Sequence, residues 1–305
     1  MNEILVFGHK NPDTDSITAS YIMANLQNKL GNNAKACRLG NLNKETQFIF
    51  NYLNIEIPEL IENVEERDVI LVDHNEFSQS AEGVDKANIK MVVDHHRIAN
   101  FQTAEPLYYR AEPVGCTSTI LAKLYKENGV EITKEIAILM ISAIVSDTLL
   151  FKSPTCTKED ENTARSLATK FGLDIETYGL EMLKAGTDLS DLSAEELINL
   201  DAKPFNMNGK NVKIAQVSTA SIEDMMQRQE EIEKAMNAEI EENSLDLFFV
   251  AITDIINSNS QVIALGKEVE LVEKAFGVKL ENNNAFLEGV VSRKKQIVPV
   301  LEKNA

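Results

Sequence analysis

The sequence predicts an α/β protein in two domains: a mostly parallel sheet flanked by helices, then a smaller domain built on a mixed sheet. Two observations carry this. In the first half, short runs of aliphatic and β-branched residues alternate with helical stretches, which is the pattern of parallel strands joined by crossover helices. In the second half, a hairpin signal and closely spaced apolar runs replace that alternation.

Taken in order, Ile4–Phe7, Ala34–Arg38, 69–72 and 91–93 read as strands, each short and mostly aliphatic. Residues 16–30 carry Ile17, Tyr21, Ala24 and Leu26 at helical spacing, with Gly31 as a stop. Further helices are expected at Lys44–Leu53, Thr117–Glu127, 134–145 and 159–171. The small, polar, aperiodic stretch 185–193 reads as a linker, and Ser193 with Glu196 forms a capping box for a helix starting at Ala194. The expected division is a first domain at 1–187, a linker at 188–193 and a second domain at 194–305. In that second domain, 206–211 reads as a hairpin turn between strands 203–205 and 212–217. A long charged helix is expected at 222–243, then apolar runs at 245–253, 261–265 and 286–291.

Composition narrows the function. The 305 residues are 26% charged and 44% hydrophobic, ordinary for a globular protein. No apolar run approaches the roughly 20 residues of a membrane span, and the first residues lack a basic leader, so a cytoplasmic protein without a membrane partner is expected. Cys37, Cys116 and Cys156 are odd in number and form no CxxC pair, which favours buried thiols over disulfides or a zinc ribbon. A net charge of −18 argues against nucleic acid as a partner.

The histidines carry the chemistry. There are four, His9, His74, His95 and His96, and each follows closely on a strand-like run. Parallel strands ending this way set their side chains along one sheet edge, where open α/β sheets bind ligands. Asp13 and Asp15 lie in the loop after the first strand. Helix capping explains one of them but not both. With Asp73 and Asp94 they would place four carboxylates on one edge, a repulsive arrangement unless cations intervene. Imidazole and carboxylate without thiolate suit a borderline-to-hard divalent ion. The ligands are too many for one ion, so a two-metal centre of the kind found in phosphatases is expected.

The segments His9-Lys10-Asn11-Pro12-Asp13-Thr14-Asp15, Asp73-His74-Asn75-Glu76, Asp94-His95-His96 and Ser146-Asp147-Thr148 resemble the DHH phosphoesterases in order and spacing. Ser292-Arg293-Lys294-Lys295-Gln296 resembles the signature of their family II, manganese-dependent inorganic pyrophosphatases, and the likeness spans the chain. It implies a DHH domain followed by a DHHA2-type domain. It implies one metal at His9, Asp13 and Asp73 and a second at Asp15, Asp73, His95 and Asp147, with Asp73 bridging. Substrate contacts are implied for His96, Lys203, Arg293 and Lys294, and catalytic roles for Asp13, Asp73, His96 and Asp147. The implied cofactors are two Mn²⁺ or Co²⁺ per subunit, with Mg²⁺ arriving on pyrophosphate, and a homodimer is usual in bacterial members.

The expected reaction is hydrolysis of pyrophosphate to two orthophosphates by in-line attack of a hydroxide bridging the metals, with substrate clamped between the domains. Metals and a basic lip would make the site locally positive despite the acidic chain. Rival readings are an exopolyphosphatase, a short-nucleotide phosphodiesterase and a silent metal-binding regulator. No histidine follows His96, which counts against the nucleotide-cleaving relatives. His74 fits either a hydrogen-bonding support or a packing role.

Overall fold

The computed structural model describes residues 2–305, and the chain divides into two compact units, one ending at Gly186 and the other beginning at Thr187. In the first unit the elements run β1 (Ile4–Phe7), α1 (Thr14–Lys29), β2 (Ala34–Arg38), α2 (Lys44–Leu53), β3 (Glu59–Leu60), β4 (Asp68–Val72), β5 (Asn88–Asp94) and β6 (Tyr108–Ala111). Four helices follow: α3 (Thr117–Glu127), α4 (Lys134–Asp147), α5 (Lys158–Phe171) and α6 (Ile175–Gly186). The six strands lie in the order β3-β2-β1-β4-β5-β6 and every neighbouring pair is parallel.

From β1 the chain steps outward to β2 and β3, then returns to β4 and steps the other way. The carboxyl ends of β1 and β4 therefore flank the point where strand order reverses, and a crevice opens there. β1 is followed by a turn so tight that a Cβ on Gly8 would lie 2.1 Å from Ser16 Oγ and 2.6 Å from the Ser16 carbonyl oxygen. Helix α1 is buried on nearly all sides, and α4 is buried without interruption from Ile136 to Val145, as expected of a helix apolar all round.

Three expectations for this unit change. β3 and β6 are short edge strands that 69–72 and 91–93 gave no hint of. The linker does not begin at Ala185, because α6 runs through Gly186. Ile175, Tyr178, Gly179, Met182 and Leu183 form its buried stripe at helical spacing, and that stripe holds the last turn. α4 also extends past residue 145 to include Asp147.

The second unit contains α7 (Ala194–Asn199), β7 (Ala202–Met207), β8 (Lys210–Thr219), α8 (Ile222–Met226), α9 (Gln229–Asn243), β9 (Leu247–Asp254), β10 (Asn259–Leu265), α10 (Val269–Phe276), β11 (Asn284–Leu287) and α11 (Val298–Asn304). A π-helical turn, Arg293–Ile297, leads into α11. The sheet order is β11-β10-β9-β8-β7, with β8 and β9 parallel and the other pairs antiparallel, so it is mixed as expected. The Ser193–Glu196 capping box forms at α7. Between β7 and β8 the turn narrows to Asn208 and Gly209, both at positive φ (51° and 88°), which matches the right-handed twist of the hairpin.

Residues 222–243 form two helices, not one. Arg228 leaves helical geometry and donates to the carbonyls of Leu189 and Leu192, and on either side of the break Met225 and Ile232 enter the same core. The last apolar run is strand only as far as Leu287, since the chain turns at Gly289 with φ 68°. One face of the sheet packs Val217, Val250 and Ile252 against Ile198, Ile232 and Met236 of α7 and α9. The other packs Ile214, Phe249 and Val262 against Val272 and Leu301 of α10 and α11.

Because Gly8 has no room for a side chain, Gly8→Ala should destabilise the fold by about 1–3 kcal/mol. Calorimetry should show a lowered unfolding transition, and an unchanged one would mean the β1–α1 turn relaxes freely.

Candidate metal centre

His9 stands two residues beyond β1, and Asp13 is the N-cap of α1, its Oδ1 accepting from Ser16 N at 3.0 Å. Asp15 lies in the first turn of the same helix and is buried. There it does what Cys116 cannot. Cys116 is the N-cap of α3 but offers no side-chain cap, and Asp15 accepts from the first two residues of that helix instead. Thr117 N reaches Asp15 Oδ2 at 2.7 Å and Ser118 Oγ reaches Oδ1 at 2.8 Å. A carboxylate at a helix N-terminus is also favoured by the helix dipole.

Asp73 follows β4 in a left-handed conformation, φ 59°, that turns its carboxylate back over the sheet edge. Asp is among the few residues that adopt this backbone readily. Its Oδ2 lies 3.5 Å from His9 Nε2, and its Oδ1 lies 3.4 Å from His95 Nε2 and 3.0 Å from the Thr117 hydroxyl that donates to it. His9 Nε2 is also 3.5 Å from Asp13 Oδ2. Both histidines are oriented from behind. His9 Nδ1 meets the Lys10 carbonyl at 2.8 Å and His95 Nδ1 meets the Val114 carbonyl at 3.0 Å, so each turns Nε2 toward Asp73.

The structure therefore gathers His9, Asp13 and Asp73 in one group and Asp73, His95 and His96 in a second, with Asp73 common to both. Asp15 and Asp147 form a third group with Cys116, a thiol that sequence reasoning set aside as merely buried. Asp94, at the end of β5, takes a supporting place. Its Oδ1 accepts from His96 N at 3.0 Å and lies 2.9 Å from His96 Nδ1, while Oδ2 accepts from Asn75 Nδ2 at 2.6 Å. With its oxygens so engaged, it orients His96 and joins none of the three groups. His74 is buried, with Nδ1 on the Val72 carbonyl at 2.9 Å and Nε2 on Ser80 Oγ at 3.0 Å, and it braces the β4 turn.

Glu45 of α2 is another participant that sequence reasoning missed. Its Oε1 accepts from Thr14 Oγ1 at 2.6 Å and Ser146 Oγ at 2.5 Å, so it ties the Asp13–Asp15 turn to the end of α4. No local pattern announces it, because the pairing spans 101 positions in the chain. His9, Asp73, Asn75, Glu76, Gln79, His96 and Arg97 line an open cleft of about 350 Å³.

Charge tests whether these residues suit cations. Burial pushes the Asp73 carboxyl up, and the Asp15 and Asp13 charges add to it, to about 7. Burial and the charges of Asp15, Asp73 and Asp13 raise Asp147 well above the carboxylate range. Burial opposes charge on His9 and His95, yet their hydrogen bonds to Asp13 and Asp73 and the surrounding carboxylates lift both to about 9. Without a metal, protons hold the cluster together. Asp73 Oδ2 is buried without a hydrogen-bond partner, the kind of orphaned acceptor a cation would satisfy. Imidazole nitrogens and carboxylate oxygens around a shared carboxylate fit a pair of divalent ions.

The second unit carries Lys203, Arg293 and Lys294. Ala202 packs into the core on one face of the sheet, so by strand alternation Lys203 faces the other, with Phe205. The Arg293–Ile297 turn covers that same face through Ile297. Arg293 Nη2 lies 2.8 Å from Asp201 Oδ1, its Nη1 donates to the Asp201 carbonyl, and Arg293 N donates to Gln216 Oε1 at 3.1 Å. Lys294 is exposed.

Comparison with known proteins agrees with this layout. Residues 3–144 match the model of the DHH family, N-terminal domain, and 180–304 match that of the DHHA2 domain. The manganese-dependent inorganic pyrophosphatase of Bacillus subtilis is 58% identical over 303 residues, 99% of this chain and 98% of that one. A Methanococcus jannaschii crystal structure assigned to the family II inorganic pyrophosphatases superposes with TM-score 0.62 at 41% identity, covering 99% of both chains. An exopolyphosphatase-related protein of Bacteroides fragilis shares the fold, with TM-score 0.50 at 14% identity over 99% of this chain and 91% of that one.

The shifted groups predict a pH dependence. His9, His95 and Asp73 bind protons more tightly folded than at their ordinary values of 6.5 and 3.8. Their stabilisation is full below those ordinary values and is lost as pH rises through about 7 for Asp73 and about 9 for the histidines. Metal-stripped protein should melt at progressively lower temperature across that window. Mn²⁺ should suppress the loss and release protons on binding at neutral pH. A flat melting profile without proton release would contradict the charge arrangement described here.

Proposed function

This chain belongs to the family II, manganese-dependent inorganic pyrophosphatases, which are hydrolases, and on that premise we propose that it hydrolyses pyrophosphate to two orthophosphates at the Asp73 centre. The observation that carries the reading is Asp73 itself: buried, flanked by His9 and His95 on its two oxygens, with Oδ2 lacking a hydrogen-bond partner. His9, Asp13 and Asp73 would hold one divalent ion, and Asp15, Asp73, His95 and Asp147 the other, as Mn²⁺ or Co²⁺, with Mg²⁺ arriving on the substrate. When bound, such a pair supplies Lewis acidity and acidifies a shared water toward neutral pH.

The chain's own groups then handle charge. In this reading residues 1–187 form the metal-binding domain, 188–193 the linker and 194–305 the substrate domain, with pyrophosphate clamped between the two. Arg293, its guanidinium set by Asp201, offers a planar fork to phosphoryl oxygens, and Lys203 and Lys294 add mobile charges. His96, half exposed and fixed by Asp94, donates to the same oxygens. These groups stabilise the charge that builds on the phosphoryl oxygens and the departing phosphate as water attacks in line. We further take the protein to be a cytoplasmic homodimer; among the described residues no helix is long and apolar enough to cross a membrane.

The deciding assay is phosphate release by metal-stripped protein with Mn²⁺, Co²⁺, Mg²⁺ or Zn²⁺ restored in turn. Pyrophosphate should be cleaved fastest with Mn²⁺ or Co²⁺, while preference for tripolyphosphate or a dinucleotide would move the protein to a sister activity. Asp73→Ala should abolish turnover in a folded protein, and Arg293→Ala should lower kcat/KM by roughly 10²–10³-fold. Persisting turnover in the Asp73 variant would rule out a shared-carboxylate centre.

A further inference from the structure

We propose that Asp160, a residue of α5 that hydrogen-bonds to none of the candidate metal ligands, is a positioning residue for the metal centre; the inference rests on the metal reading above. Asp160 is fully buried. Its Oδ2 accepts from Thr157 N at 2.8 Å and Thr157 Oγ1 at 2.6 Å, which is the capping box at the start of α5. Capping requires nothing more. Yet Oδ2 also accepts from Gly115 N at 2.8 Å and Oδ1 from Thr119 Oγ1 at 2.6 Å, two donors about 40 residues earlier in the chain. All four of these contacts donate to the Asp160 side chain.

The two distant donors bracket the segment that aims the centre. Val114 presents the carbonyl that orients His95, Thr117 holds both Asp15 and Asp73, and Ser118 holds Asp15. Contacts toward the centre and contacts toward Asp160 thus alternate through residues 114–119. The segment is pressed into place. A Cβ on Gly115 would lie 2.8 Å from Asp160 Oδ2, 3.0 Å from the Thr155 carbonyl and 3.1 Å from Thr148 Cγ2. Thr148 directly follows Asp147, so Asp160 and Gly115 fix the 114–119 segment against the chain leaving that ligand as well. Loss of Asp160 leaves every candidate ligand present but frees the backbone that points three of them.

The test compares Asp160→Ala with Thr157→Ala, which weakens the same helix cap without touching Gly115 or Thr119. Mn²⁺ binding to stripped protein is followed by electron paramagnetic resonance, and the visible spectrum of the Co²⁺-loaded protein reports ligand geometry. Both variants should melt at lower temperature. Only Asp160→Ala should weaken Mn²⁺ binding, by roughly 10–100-fold, and shift the Co²⁺ bands. If Asp160→Ala does not fold, Thr119→Val carries the comparison and should weaken Mn²⁺ binding in the same direction. Wild-type Mn²⁺ affinity in the folded Asp160 variant, or equal loss in Thr157→Ala, would reduce Asp160 to a helix cap and overturn the proposal. Wild-type protein that binds no Mn²⁺ would instead sink the metal reading, and this inference with it.

Discussion

Mutual repulsion among Asp13, Asp15, Asp73 and Asp147 is the constraint on which the rest of this structure depends. Two of these carboxylates are raised by burial and by each other's charge, and the protein offers imidazoles, backbone amides and hydroxyls to hold them. Such a cluster stays together only where protons or cations offset its charge. Here the parallel sheet concentrates it, because the loops after β1 and β4 open side by side where the strand order reverses.

Three relays of hydrogen bonds then fix the geometry. Val114 orients His95 and Lys10 orients His9, so both rings present Nε2 to the shared carboxylate. Asn75 sets Asp94, which sets His96. Glu45 links the turn carrying Asp13 and Asp15 to the end of α4, where Asp147 lies. Each relay includes one contact between separate segments, Val114 to His95, Asn75 to Asp94 and Glu45 to Ser146, and His9 and His95 keep Nε2 turned to Asp73. Rigid support with open donor atoms is what a metal centre requires of its surroundings.

That distribution explains what could be read from the sequence. Strand ends were legible because β1, β4 and β5 are short aliphatic runs closely followed by His or Asp, and His9, Asp13, Asp73 and His95 lie in the loops that those endings open, whereas Asp15 and Asp147 lie in α1 and α4. Asp94 ends β5 on the expected edge, but a strand-end position does not reveal that Asn75 and His96 will occupy its oxygens. Cys116, Glu45 and Asp160 were missed for a related reason, as their roles arise from contacts between distant segments. The edge strands β3 and β6 lack a sustained apolar run, and the break at Arg228 depends on two carbonyls about 40 positions away.

The left-handed turn at Asp73 has a consequence for how this family can decay. Asparagine accepts that backbone as readily as aspartate, and the volumes are nearly the same. A lineage released from selection for chemistry could therefore exchange the one for the other and keep strand, turn and core intact. Its descendants would retain every architectural mark of the ancestor while lacking the charge that His9 and His95 flank. Within such a lineage, a single side-chain atom at this turn would separate the charged cluster from a neutral copy of it.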